Sequence, residues 1–268
     1  KANLIATLGS GPGGLVLAGH TDTVPFDEGR WRSDPLQLTE RDQRLYGLGS
    51  TDMKGFFPIA IAAARAFLDK PLQQPLIILA TADEESSMNG ARALAAAGRP
   101  RARAAIIGET TSLNPGRLHK GIMMEAIEVT GLAGHSSNPA LGVNALDVMH
   151  ELMSEMMQFR HQLATEHANS AFEVAFPTLN LGCIHGGDSP NRICGRCELH
   201  FDLRLTPSAA AAGVREQLQQ RLQTLAHARG ARIALRSLVE PVPPFEQPAN
   251  SELVRLAEKL TGHSAMAV

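Results

Sequence analysis

One histidine and five acidic residues fall into three short polar clusters, each directly behind an apolar run. His20-Thr21-Asp22 follows Leu15-Val16-Leu17-Ala18, Asp83-Glu84-Glu85 follows Leu76-Ile77-Ile78-Leu79-Ala80, and Gly108-Glu109 follows Ala104-Ala105-Ile106-Ile107. These residue types bind metals and move protons. His20 and Asp22, two apart in extended chain, point the same way. Asp22 can therefore reach the metal-distal nitrogen of the imidazole, fix its tautomer and raise its basicity. An H-x-D pair alone is nonetheless common. Glu84 and Glu85 diverge as neighbours, so one can bind a metal while the other acts as general base. As a bare pair they read equally as an exposed acidic loop ahead of a helix. Glu109 is either a ligand or a surface turn acid. Asp52 lies in the glycine-rich stretch Tyr46 to Gly55; a tight loop can bring it to the same place, or it caps the following helix. One histidine and four or five carboxylates at a single edge repel strongly unless cations are present. Two divalent metals ~3.5–4 Å apart, bridged by a carboxylate, relieve that repulsion. Mixed histidine and carboxylate ligation suits zinc first, with cobalt or manganese as alternatives.

The elements needed to converge these clusters are legible in outline. The three apolar runs read as buried strands, with helix-like stretches from Met53 to Asp69 and from Ala91 to Ala97 between them. The expected class is α/β: a mostly parallel sheet with helices on both faces, its ligands gathered at the carboxyl ends of the strands. After Lys120 the pattern changes. Strands are expected at Met123 to Thr130, Thr178 to Ile184, Arg196 to Leu205 and Arg232 to Leu238, with helices from Val143 to Thr165 and Ala209 to Arg229. Arg196 to Leu205 alternates strictly, the pattern of a half-buried antiparallel strand. The order β-α-β-β-α-β is ferredoxin-like. The expected organisation is a catalytic domain in two parts, residues 1–119 and 240–268, with an inserted lid and dimerisation domain at 120–239.

Composition excludes several classes. Hydrophobic residues make up 44% and charged ones 19%, with a formal net charge of −2. No global basic field invites nucleic acid or anionic lipid, and no apolar run reaches membrane-spanning length. Three cysteines are too few to staple a secreted fold of this size and favour a cytoplasmic setting. Cys194 and Cys197 have C-x-x-C spacing, which can signal zinc or redox chemistry. No second pair accompanies them, and Cys197 falls on the apolar phase of its strand, so the core reading is preferred. The chain starts at Lys1 rather than Met, so a targeting segment ahead of it cannot be read.

The same residues resemble the M20 metallopeptidases. Carrying the likeness are Gly19 to Pro25, Tyr46 to Phe57, Ala80 to Glu85, Gly134-His135-Ser136-Ser137, Gly142 to Ala145, and Asn180-Leu181-Gly182 through Asn191-Arg192-Ile193. It spans essentially the whole chain, and the H-x-D, G-x-G-x-x-D-M-K-G and D-E-E motifs together are very specific. The full set, with His119-Lys120-Gly121, resembles the branch that deacetylates N2-acetyl-L-ornithine, a step of arginine biosynthesis, rather than the desuccinylase branch. The resemblance implies that His20 binds one metal, oriented by Asp22, that Asp52 bridges both, and that Glu109 completes the first. It implies Glu84 as general base and Glu85 as ligand of the second metal. His135 resembles a histidine that crosses a dimer interface to stabilise the oxyanion. Asn191 and Arg204 match positions holding substrate carboxylate or carbonyl groups. A homodimer through the lid, an acylated amino-acid substrate and a cis peptide at Asp52–Met53 are also implied.

Two departures stand out. Thr110 replaces the proline expected after the glutamate. The family's final metal-binding histidine lies in a C-terminal segment that has no match before Val268, since His263 is in a different context. The expectation is that the second metal keeps only Asp52 and Glu85. Rival readings are a succinyl-diaminopimelate desuccinylase, another acylamino-acid hydrolase and, from a different class, an inactive metal-binding fragment.

Overall fold

The computed structural model describes residues 1–268, the side chain of Glu28 excepted, as two compact units, Lys1–Leu113 and Asn114–Val268. In the first unit the strands are β1 (Leu4–Leu8), β2 (Leu15–His20), β3 (Thr39–Arg41), β4 (Arg44–Tyr46), β5 (Leu76–Thr81) and β6 (Ala104–Ile107). Its helices are α1 (Phe56–Arg65) and α2 (Asn89–Ala96). The main sheet runs β1-β5-β2-β6, and β3 and β4 form a separate hairpin. The expected strands β2, β5 and β6 are parallel, whereas β1, which the sequence pattern did not single out, adds to β5 antiparallel. Parallel strands share a carboxyl edge, so the polar clusters following β2, β5 and β6 emerge on one side. Helix α1 packs on β2 and β5. It starts at Phe56, capped by Gly55 without a side-chain hydrogen bond, so Asp52 is not its N-cap.

The second unit contains β7 (Gly116–His119), β8 (Gly121–Thr130), β9 (Gly134–His135), α3 (Ala145–Glu166), β10 (Thr178–Gly186), β11 (Arg192–Ile193), β12 (Arg196–Leu205), α4 (Ala211–Ala228), β13 (Arg232–Ser237), β14 (Phe245–Glu246), α5 (Glu252–Thr261) and β15 (Met266–Ala267). The sheet β10-β12-β8-β13 is antiparallel throughout, the ferredoxin-like order for β-α-β-β-α-β. Residues 240–268, expected to rejoin the first domain, supply β14 and β15, which flank β7 in a small sheet of this unit. Asn144 caps α3 by accepting the Leu146 N–H at 3.0 Å. Helical spacing then buries Val148, Met149, Leu152, Met156, Phe159 and Leu163 along one stripe of α3. These side chains meet Cys197, Leu199, Phe201, Leu203 and Leu205, the alternate positions of β12. Each large apolar group so buried contributes ~1.5–3 kcal/mol. Cys194 belongs to the same core, its thiol donating to the Arg196 carbonyl, and burial pushes the Cys197 thiol up. Both therefore act as small apolar residues.

Candidate metal centre

His20 is the last residue of β2 and only 2% exposed, which places an imidazole at the carboxyl edge of the parallel strands. The residues before the two cluster ligands, Gly19 and Gly108, are glycine because the chain leading into α1 lies directly against them. A Cβ on Gly19 would meet Met53 Cε at 2.6 Å, and one on Gly108 would meet the Phe56 ring at 2.1 Å. That close approach carries the Gly47–Gly55 loop over the strand ends and delivers Asp52. The Asp52–Met53 peptide is cis, as the resemblance implied.

The imidazole has two distinct sides. Nδ1 lies 3.0 Å from the backbone carbonyl of Asp22, an acceptor, so Nδ1 carries a proton there. Nε2 faces acids alone: Asp52 Oδ1 at 3.2 Å, Glu109 Oε1 at 3.9 Å and Glu84 Oε2 at 4.0 Å. A lone pair aimed at carboxylate oxygens is repelled unless a cation stands between them. Burial resists protonation of His20, yet the Asp22 carbonyl together with Glu84, Glu109 and Asp52 outweighs it and raises the pKa. Burial likewise raises the carboxyl pKa values of Glu84 and Glu109, and their acidic neighbours add to the effect although His20 opposes it.

Donor atoms of His20, Asp52 and Glu109 lie within 4.8 Å of one another, and so do those of His20, Glu84 and Glu85. A buried imidazole ringed by partly exposed carboxylates is the donor chemistry of a divalent zinc, cobalt or manganese ion. The residues present fit that group. All five expected metal and base residues, His20, Asp52, Glu84, Glu85 and Glu109, are gathered at one edge.

The structure corrects one expectation. The Asp22 carboxylate does not hydrogen-bond His20, its nearer oxygen standing 3.7 Å from Nδ1. It accepts instead from the backbone N–H groups of Glu84, at 3.1 Å, and Glu85, at 3.0 Å. The turn after β5 leaves these donors without strand partners, and a carboxylate satisfies both at once. Burial opposes ionisation of Asp22, but these bonds and His20 hold its pKa below the ordinary carboxylate value. Asp22 thus reaches His20 through its backbone and the glutamate turn through its side chain. The sequence reading also missed Asp83, the left-handed residue of that turn. Its carboxylate accepts from Ser86 Oγ at 2.5 Å and Ser87 Oγ at 2.6 Å, and from Lys1 Nζ. Lys1 first, then the two serines, hold its carboxyl far below the usual range. The signal was available, because Asp followed by Ser at the third and fourth positions is turn chemistry.

The remaining expected residues belong to the second unit. His135 is exposed on β9, paired with Arg192 of β11. Its Nδ1 accepts the Ser137 N–H at 3.2 Å and lies 2.8 Å from Ser137 Oγ, which leaves the Nε2–H as an outward donor. Asn191 is adjacent, its carbonyl accepting the Ser136 N–H and its side chain the Ser189 hydroxyl. Arg204 is elsewhere. It lies at the far end of β12, eight residues beyond Arg196, a span of roughly 26 Å at 3.3 Å per residue. The His135–Asn191 pair lies past the Arg196 end, continuing the ladder through Gly131 and Gly195. These three residues do not form one cluster.

Comparison with known proteins matches residues 16–265 to the model for peptidase family M20/M25/M40. The chain belongs to this family. Among M20 relatives, the acetylornithine deacetylase of Pasteurella multocida is 49% identical over all 268 residues, which cover 70% of that protein. That of Edwardsiella ictaluri is 50% identical with the same coverage. Solved M20-like folds are more distant in sequence. A tripeptidase from Staphylococcus aureus superposes with a TM-score of 0.70 at 19% identity, over 99% of this chain and 69% of that one. An M20 family metallo-carboxypeptidase from Sulfolobus solfataricus gives 0.69 at 19% identity, over 99% and 74%. The chain is thus a metal-dependent M20 hydrolase by family and by fold, with no helix long and apolar enough to cross a membrane.

Proposed function

We propose that this protein removes the acetyl group from N2-acetyl-L-ornithine, giving L-ornithine and acetate. The observation that carries the reading is His20 set among Asp52, Glu84, Glu85 and Glu109 at one strand edge, in a chain about half identical over its whole length to acetylornithine deacetylases. His20, Asp52 and Glu109 would hold one divalent ion; Glu85 would hold the second, with Asp52 shared. Two such ions, zinc or cobalt, supply Lewis-acid polarisation of the amide carbonyl and of water when bound. Glu84 does the proton work. Its raised pKa suits a base that takes the proton of the attacking water and then passes it to the leaving amine. The backbone bonds from Glu84 and Glu85 to Asp22 hold both side chains in place during that exchange.

The Nε2–H of His135 is the donor offered to the oxyanion, with Asn191 beside it, and Arg204 grips the substrate carboxylate. A substrate of amino-acid size does not span the roughly 26 Å along β12 that separates Arg204 from the His135 end. That separation supports His135 and Arg204 of one chain serving different sites, which a homodimer through this unit provides. A cytoplasmic setting follows from the proposed biosynthetic role.

Glu84→Gln tests the assignment. Turnover of N2-acetyl-L-ornithine should fall about 10²–10⁴-fold, with metal content by mass spectrometry unchanged. Comparable activity at full metal loading would sink it. A panel including N-succinyl-diaminopimelate separates the deacetylase from the desuccinylase reading.

A further inference from the structure

Arg204 is tethered at a single nitrogen. Its Nε donates to Asp202 Oδ2 at 2.9 Å, the two residues lying i and i+2 on the face of β12 turned away from the helices. Among the described residues neither Nη of Arg204 is engaged, and the side chain is 39% exposed. Asp202 is the more enclosed partner. Its Oδ1 is shielded from solvent yet has no hydrogen-bond partner. Across the sheet Asp202 faces Asn180 on β10 and Met124 on β8, neither of them a cation. The nearest titratable residue on its own face, His200, is engaged by Glu198 at 2.6 Å. An aspartate serving the sheet would bond to a neighbouring strand, and burial of an unpartnered carboxylate oxygen is unfavourable. Asp202 bonds to nothing but Arg204.

We propose that Asp202 is a positioning residue for Arg204. By occupying Nε it fixes the plane of the guanidinium and leaves the Nη1–Nη2 edge, the fork that matches a carboxylate with two parallel N–H donors. Without the tether the long side chain samples many rotamers, and ordering it on binding weakens affinity. The effect falls on substrate capture and not on proton transfer at Glu84. The inference rests on Arg204 as the group that grips the substrate carboxylate.

The experiment is steady-state kinetics of the metal-loaded protein on N2-acetyl-L-ornithine and on its α-carboxamide, which lacks the carboxylate. Asp202→Ala should raise KM for the acid roughly tenfold with kcat within about twofold, and should lose the preference for acid over carboxamide. Asp202→Asn, which keeps an acceptor for Nε, should recover part of that loss. Arg204→Ala and the double variant should be equally impaired. An unchanged melting temperature excludes unfolding as the cause, and the partial rescue by Asn keeps the test valid if the alanine variant is unstable. Asp202→Ala effects that add fully to those of Arg204→Ala, or that fall on kcat with KM unchanged, overturn the positioning role. If Arg204→Ala itself leaves KM and the acid preference intact, the reading of Arg204 is wrong and the proposal falls with it.

Discussion

The two units divide the work unequally. Residues 114–268 enclose a contiguous core of aliphatic, methionine and phenylalanine side chains from β8, β10, β12, α3 and α4. Residues 1–113 bury few large apolar groups, Val16, Met53 and Ile77 among them, and leave Ile59, Ile61, Ile106 and Ile107 exposed. That thinner unit nevertheless carries the buried imidazole and its ring of carboxylates. Charges gathered at one edge oppose folding unless a cation joins them, so the two units draw their stability from different sources: apolar packing in one, ligation added to a modest core in the other.

The largest expected effect that would break this contrast is in the packed unit. Phe159 is fully buried with the Arg221 guanidinium 5.1 Å from its ring centre. Phe159→Ala should lower stability by about 3–5 kcal/mol in urea unfolding, while zinc affinity at the His20 site stays the same. A loss of metal binding in step with unfolding would show that the two sources of stability are not separate. Next is metal removal. Ligation should stabilise the first unit by ~2.7 kcal/mol at a hundredfold excess over Kd. Chelation should therefore speed hydrogen exchange in β2, β5 and β6 and leave α3 and α4 protected. Uniform loss of protection across both units would contradict the division.

A smaller effect sharpens the picture of the second unit. Glu125 is 1% exposed on the core face of β8, where it accepts from Arg215 Nε at 3.2 Å and Ser237 Oγ at 2.7 Å. Glu125→Ala strands a guanidinium that is one-third exposed, so hydration tempers the cost to about 1–3 kcal/mol. Thermal melting that shows no change would mean the pair is already solvated. The smallest effect belongs to Glu151, paired with the exposed Arg229. Glu151→Gln should cost under about 1 kcal/mol and leave the melting temperature nearly unmoved. A large shift there would place an unexpected share of the stability on the surface.

Residue patterns along the chain already contained the strand ends. An apolar run of strand length followed by a polar residue needs no distant partner to be recognised, and β2, β5 and β6 each end where their run ends. The alternation from Arg196 to Leu205 became a strand with every second side chain buried, because the pleat turns successive residues to opposite faces whatever the context. Parallel pairing of the three apolar strands then made the convergence of His20, Glu84, Glu85 and Glu109 a matter of local pattern. The partners of the polar groups were a different matter. Asp22 was two residues from His20 and sixty-odd from Glu84 and Glu85, yet its carboxylate went to the distant pair. Strand pairing brought two unsatisfied N–H groups within reach, and a carboxylate bonds the donors nearest in space. For the same reason Asp52 lies over the strand ends instead of capping α1, and Arg204 is parted from His135 by the length of β12. Periodicity is a property of the local backbone and survives in the sequence. Which donor meets which acceptor depends on how the strands are paired, and that was decided only by the tertiary fold.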